Sequence, residues 1–175
     1  MIIFKLNLLN FHKLLFHHYQ KSSQDVAVFG SFSEEFTETG ERKIRRYPLG
    51  YKNIKKGIAV ANPLSHPTTF LKVSSILSLG GYDTSYVRCQ DLELWTRILK
   101  NEMLIENIPE VLLDFRRAHT VGKRKNTSEW EYKAYKNAIH ELGFPKYKMV
   151  YPILRRMVRK VNILSELGYK YFKRK

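Results

Sequence analysis

The sequence predicts an α/β domain. Apolar residues at helical spacing alternate along the chain with short β-prone runs. Glycine and proline punctuate several of the boundaries between them. The 175 residues, 43% hydrophobic and 27% charged, are enough for one domain with a real core.

The elements follow in order. Phe4, Leu8, Phe11 and Leu15 recur at helical spacing, with Leu14 and His18 alongside, which predicts a helix ending near Tyr19 to Ser23. Asp25 leads into Val26-Ala27-Val28-Phe29-Gly30, the pattern of a short buried strand. Thr39-Gly40-Glu41 reads as a turn between polar, strand-like segments. Residues 42–60 are basic and match no template well. Asn62-Pro63 and His66-Pro67 break the chain, and Thr68-Thr69-Phe70-Leu71 is β-prone. Val73 to Leu79 reads as a short helix that Gly80-Gly81 stops, and a loop runs from Tyr82 to Gln90.

Asp91 opens the next helix. Leu92, Trp95, Ile98 and Leu99 give it an apolar face, and Lys100 closes it with a charge suited to the helix dipole. Met103 to Ile108 and Val111 to Phe115 read as two strands parted by Pro109. A charged loop from Arg116 to Asn126 precedes helical patterns over Ser128 to Leu142. A linker at Gly143-Phe144-Pro145 and a last helix from Pro152 to Phe172 complete the chain. No internal repeat or low-complexity segment interrupts this order.

The net charge of +15 is uneven. Residues 1–110 hold 14 basic and 11 acidic side chains, whereas residues 111–175 hold 17 and 5. Such a block attracts polyanions: nucleic acid, anionic lipid or diphosphate ligands. The single cysteine, Cys89, excludes an intramolecular disulfide framework and a cysteine zinc site, and a reducing cytosolic setting is its simplest match. No stretch is long and apolar enough for a transmembrane helix. Met1 to Phe16 lacks the basic leader and cleavage site of a signal peptide.

Five pieces in order carry a resemblance. They are Asn62-Pro63-Leu64-Ser65-His66-Pro67-Thr68, Phe70-Leu71-Lys72, Gly80-Gly81-Tyr82-Asp83, Gln90-Asp91-Leu92-Glu93-Leu94-Trp95 and Asn107-Ile108-Pro109-Glu110-Val111-Leu112-Leu113. Together they resemble the second, acceptor-side half of family 2 glycosyltransferases, over residues 7–126. The nearest likeness is to bacterial enzymes that build capsule, exopolysaccharide or lipopolysaccharide chains.

The resemblance implies a partial GT-A, Rossmann-like fold over residues 1–126 without the N-terminal nucleotide-binding strands. A basic helical extension then covers residues 127–175. It also implies a divalent cation, Mg or Mn, in the intact family, although its Asp-x-Asp ligand element has no match. The acidic pair Asp91/Glu93 belongs to the later helix. The chain is expected to begin just after that element, as a truncated remnant with impaired activity or one served by a separately encoded N-terminal half.

By resemblance Asp91 is the catalytic base that takes the acceptor hydroxyl proton in an inverting transfer. Read without it, Asp91 is a carboxylate serving the amides of a helix start. The resemblance places Asp83, Gly81, His66 and Gln90 at the donor- and acceptor-sugar site. Asp83 is equally a turn aspartate, and His66 otherwise a structural hydrogen bonder. His119, Arg116 and Lys123 lie where the family brings a loop to the diphosphate, and a solvated basic loop is the alternative. Glu93 and Arg97 suit an intrahelical ion pair, and Trp95 suits the core. His12, His17 and His18 form no convincing metal pattern, and no residue is assigned as a metal ligand.

In the final helix Leu154, Met157, Val158, Val161 and Leu164 form an apolar stripe, with Arg155, Arg156, Arg159 and Lys160 on the other side. Such a helix lies in an anionic membrane interface or packs on its own domain. The resulting reading is a glycosyltransferase that moves a sugar from a nucleotide-sugar to a glycan or lipid-linked acceptor. Its expected place is the cytoplasm, at the inner face of the cytoplasmic membrane. The alternative is a non-enzymatic basic module binding anionic membrane or nucleic acid, but no nucleic-acid motif accompanies the charge.

Overall fold

The computed structural model describes residues 2–4, 8–21, 26–116 and 127–158. Its elements are β1 (Ile2–Phe4), α1 (Leu8–Lys21), β2 (Val26–Phe36), β3 (Arg42–Arg45), α2 (Tyr51–Gly57), β4 (Phe70–Leu71), α3 (Val73–Ser78), α4 (Gln90–Lys100), β5 (Leu104–Arg116) and α5 (Thr127–Glu141). Residues 150–158 are also helical and are called α6. The class is α/β, with a mixed five-stranded sheet in the order β1-β5-β2-β3 and β4 also on β2. The central pair β2–β5 is parallel and every other pairing is antiparallel.

The predicted first helix is shorter than its apolar spacing suggests. It starts at Leu8, and Phe4 lies in β1, paired with Leu113. The run Ile2-Ile3-Phe4 has the β-branched content of a strand, and pairing it with β5 covers an otherwise open sheet edge.

The two strands expected around Pro109 are one strand, β5. Ser31 pairs with Ile108 and the next residue, Phe32, with Val111, so Pro109 and Glu110 bulge out of the ladder. Both are exposed, and the missing proline N–H breaks no bond to β2. The basic segment that matched no template forms β3 and α2. The last helix begins before Pro152, and its predicted course beyond residue 158 lies outside the described residues.

Strand alternation divides the core. Val28 joins a large cluster with Ile54, Ile58, Leu92, Trp95, Ile98, Leu99 and Ile105. Its neighbour Phe29 joins a smaller one with Val26, Ile108 and Leu112, against Leu14 and Tyr19 of α1. Ala134 and Tyr135 of α5 belong to the large cluster, so α5 packs into the same core as α4.

Two features of this core place the loops that matter. β3 and β4 both pair with the same edge of β2, at residues 33–36 and 28–29, leaving a gap at Ser31. The turn His66–Thr68 fills it: the Thr68 hydroxyl accepts the Ser31 N–H at 3.0 Å and donates to the Ser65 carbonyl at 2.8 Å. Buried Asn107 of β5 donates to the carbonyls of Pro48 at 2.8 Å and Pro63 at 2.9 Å, clamping two loops.

Gly30 makes room for that clamp, because a Cβ there would lie 2.4 Å from Asn107 Oδ1 and 3.0 Å from Leu64 Cδ2. Gly30→Ala is therefore expected to cost about 2 kcal/mol by overpacking and by displacing the clamp. Urea unfolding of the two proteins checks this, and an unchanged midpoint would contradict the clamp.

Candidate active site

A cleft of about 580 Å³ opens beside the Ser65–Thr68 turn. Its walls come from the end of β3 and the following loop (Arg45, Arg46, Tyr47), from Asn62 to Pro67, from Asp91, from Glu131 and Tyr135 of α5, and from Arg155 of α6. The sequence brings these distant segments together because the Asn107 clamp, the Thr68 bonds and α5–α4 packing hold them on one side of the sheet.

Asp91 is the second residue of α4. The helix is preceded by Cys89 in the left-handed conformation (φ 60°), and no side chain caps its N-terminus. Asp91 therefore does not serve as an N-cap. Its Oδ2 accepts a hydrogen bond of 2.7 Å from Asn62 Nδ2, while Asn62 Oδ1 accepts the Leu64 N–H. Asn62 thus fixes one oxygen of a carboxylate that lines the cleft, and a base needs such a held position.

The His66 ring lies 6.0 Å from both Tyr82 and Trp95. Burial, and then the Asp91 charge, push the Tyr82 phenol above its ordinary range. Asp91, His66 and Tyr82 are therefore neighbours. Trp95 itself is fully buried, in line with its core reading.

Asp83, Gly81 and Gln90 are not among the residues lining the cleft. Asp83 accepts the Ser85 N–H at 2.8 Å, and its hydrogen bonds with Ser85 hold its carboxyl below the usual range. This is the turn role. Gly81 (φ 72°) and Gly80 (φ 83°) take the left-handed backbone that ends α3, where any side chain would be strained.

Arg97 fastens that loop to α4. Its guanidinium donates to the carbonyls of Leu79 (2.6 Å) and Gly81 (2.7 Å) while gripping Glu93 with both Nε (2.7 Å) and Nη2 (2.8 Å). The i,i+4 pair predicted from spacing is thus one half of a clamp between loop and helix. Arg116 sits at the end of β5, 3.6 Å from Glu38, outside the cleft lining. His119 and Lys123 lie outside the described residues.

Several lining residues escaped the sequence reading. Asn62 reads as loop punctuation before Pro63, and only the fold brings it to Asp91. By helical spacing Arg155 falls on the polar side of its helix. It turns inward instead, donating to the Tyr135 hydroxyl at 3.1 Å and the Val60 carbonyl at 2.8 Å, with its guanidinium over the Tyr135 ring. Burial pushes the Tyr135 phenol up, so the hydroxyl stays protonated. Arg155 brings a positive charge held by neutral groups to the cleft, which Arg46 also lines. Glu131, two residues after Glu129, adds a carboxylate there. The charges on this wall fit an anionic group beside a hydroxyl-bearing one.

Among the described residues no three His, Cys, Asp or Glu side chains stand close enough to hold a metal ion. Also among the described residues, no helix is long and apolar enough to cross a membrane.

No protein-family model matches the chain. It is 28% identical over 146 residues to the amylovoran biosynthesis glycosyltransferase AmsE of Erwinia amylovora, covering 81% of this chain and 54% of that protein. It is 28% identical over 153 residues to the UDP-Gal:alpha-D-GlcNAc-diphosphoundecaprenol beta-1,3-galactosyltransferase of Escherichia coli, covering 85% and 55%. A third relative, the uncharacterised glycosyltransferase MJ1057 of Methanocaldococcus jannaschii, is 30% identical over 100 residues, covering 56% and 34%. The chain is a homologue of named transferases over most of its length, and it spans about half the length of the first two.

Proposed function

We propose that the cleft is the acceptor side of an inverting glycosyltransferase of the family 2, GT-A type, acting in surface polysaccharide synthesis, with Asp91 as its base. The observation that carries this reading is the Asn62–Asp91 bond of 2.7 Å, which orients a carboxylate at the cleft wall. The acceptor hydroxyl oxygen bonds to the anomeric carbon as the bond from that carbon to the donor's diphosphate oxygen breaks. Asp91 takes the hydroxyl proton, and the nucleoside diphosphate leaves with the bonding pair. His66, with Tyr82 beside it, borders the acceptor sugar, and the resemblance adds Asp83 and Gly81 from the loop that Arg97 holds and Gln90 from the first position of α4.

The acceptor class is proposed from two arginines that line the same cleft as Asp91. Arg46 and Arg155 are proposed to meet the diphosphate of a sugar-diphosphate-lipid, the kind of acceptor named for the E. coli relative. The donor nucleotide then depends on protein beyond the matched half, in the same polypeptide or separately encoded, with Arg116, His119 and Lys123 near its diphosphate. Any divalent cation would belong to that part as well. The reaction is placed in the cytoplasm at the inner membrane face, where nucleotide-sugar and lipid-linked acceptor meet.

The configuration of the product tests the reading. A product whose new linkage is opposite in anomeric configuration to the donor, read from its one-bond C–H coupling, is the expected result. Retained configuration would remove the single-base role from Asp91.

A further inference from the structure

The helix α6 is inside out for a surface helix. Val150, Tyr151, Ile153, Leu154, Met157 and Val158 are all exposed, Met157 to 58% and Val158 to 57%. At 100° per residue these six occupy one continuous arc of roughly 160°. The remaining arc holds buried Pro152 and the half-buried Arg155 and Arg156. Both arginines point at the protein: Arg155 at Tyr135 and Val60, and Arg156 at Glu129 with its guanidinium over Tyr132. A helix packed on its own domain buries its apolar face and shows its charges to water. Here the arrangement is reversed, which leaves an apolar arc uncovered.

We infer that this arc seats on an anionic lipid bilayer. Charge selects the occupant. Exposed Lys146 and half-buried Lys148 stand at the foot of the helix, and the following residues 159–175 hold six Lys and Arg against one Glu. Pairing this face with a second copy would bring together two chains that each carry +15. An anionic surface attracts the same charges while its acyl boundary covers the apolar arc. Tyr147, 71% exposed, and Tyr151 are residues suited to the interfacial layer.

The inward face of the same helix supplies Arg155 to the cleft. Seating α6 would therefore bring the cleft wall within about one helix diameter, roughly 10 Å, of the bilayer surface. A lipid-linked acceptor could then reach the cleft without leaving its membrane. This inference deepens the proposed function by naming its partner surface. It is judged by vesicle binding, whereas that function is judged by sugar transfer, so either can fail without the other.

The test is co-sedimentation of the full chain with phosphatidylcholine vesicles, with and without phosphatidylglycerol. The wild type is expected to bind the anionic vesicles more tightly, with added salt weakening but not abolishing the binding. Leu154→Glu/Met157→Glu is expected to bind at least tenfold more weakly, with an unchanged circular dichroism melt because both side chains face outward. Val158→Trp, a variant that keeps the arc apolar, is expected to bind several-fold more tightly. Three results would overturn the inference: equal binding by the double glutamate variant, a wild-type dimer in sedimentation velocity that this variant dissolves, or duplex DNA stripping the chain from anionic vesicles at matched salt.

Discussion

Asp91→Asn is expected to lower the rate of sugar transfer by about two to four orders of magnitude, the usual contribution of a positioned general base. The comparison requires an assembly that turns over, including a separately encoded donor half if the protein uses one. The substitution suits the question because asparagine keeps the shape and can still accept the Asn62 hydrogen bond, so the wall of the cleft is preserved. What disappears is the ability to take a proton. Asn62→Ala should cost less, on the order of tenfold to a hundredfold, because it loosens the carboxylate without removing it. Initial rates under saturating acceptor check both. A rate for Asp91→Asn within a few-fold of wild type would place the base elsewhere.

The largest stability effect is expected at Arg97. Glu93 is buried on α4, and Arg97 is its bidentate partner. Arg97→Met would strand that carboxylate and leave the Leu79 and Gly81 carbonyls without their donor. Removing one member of such a pair costs about 3 kcal/mol. Arg97→Lys should recover little of it, since one ammonium cannot serve two carbonyls and a carboxylate in this fork geometry. Glu93→Leu/Arg97→Met should be more stable than Arg97→Met alone, because it removes the buried charge as well. Urea denaturation with a constant m-value reads these differences. A loss under about 0.5 kcal/mol for Arg97→Met would reduce the clamp to an ordinary surface pair.

Particular elements explain what the sequence revealed. The α4 helix was legible because its apolar face is strictly periodic and its ends carry favourable charges. The start of β2, the helix after Leu71 and the glycine stop were legible for similarly local reasons: an apolar run, a short helical pattern, and two glycines in a left-handed turn. β5 was misread because proline in a strand usually ends it. That it sits in a bulge depends on the register with β2, which no local pattern encodes. The assignment of Phe4 failed because one apolar residue fits a strand and a helix equally well.

The site divides in the same way. Asp91 and His66 came from ordered motifs and do share a cleft. Asn62, Tyr135 and Arg155 join them through contacts between residues 20 to 95 positions apart, as in Tyr135–Arg155, Asn62–Asp91 and Val60–Arg155. The apolar stripe of α6 was visible in the sequence. Its outward direction was not, because periodicity identifies a face and not what that face meets.

The central claim is that Asp91 acts on the acceptor's proton in this cleft and does not merely help to hold the acceptor. It is tested most directly by measuring two quantities on Asp91→Asn: the turnover rate, and the equilibrium affinity for a short-chain sugar-diphosphate-lipid by isothermal titration. Turnover is expected to collapse while Kd stays within about threefold of wild type, because the interaction lost belongs to the transition state. Loss of affinity in proportion to the loss of rate would contradict it, and would make Asp91 a binding residue in a cleft whose base lies elsewhere.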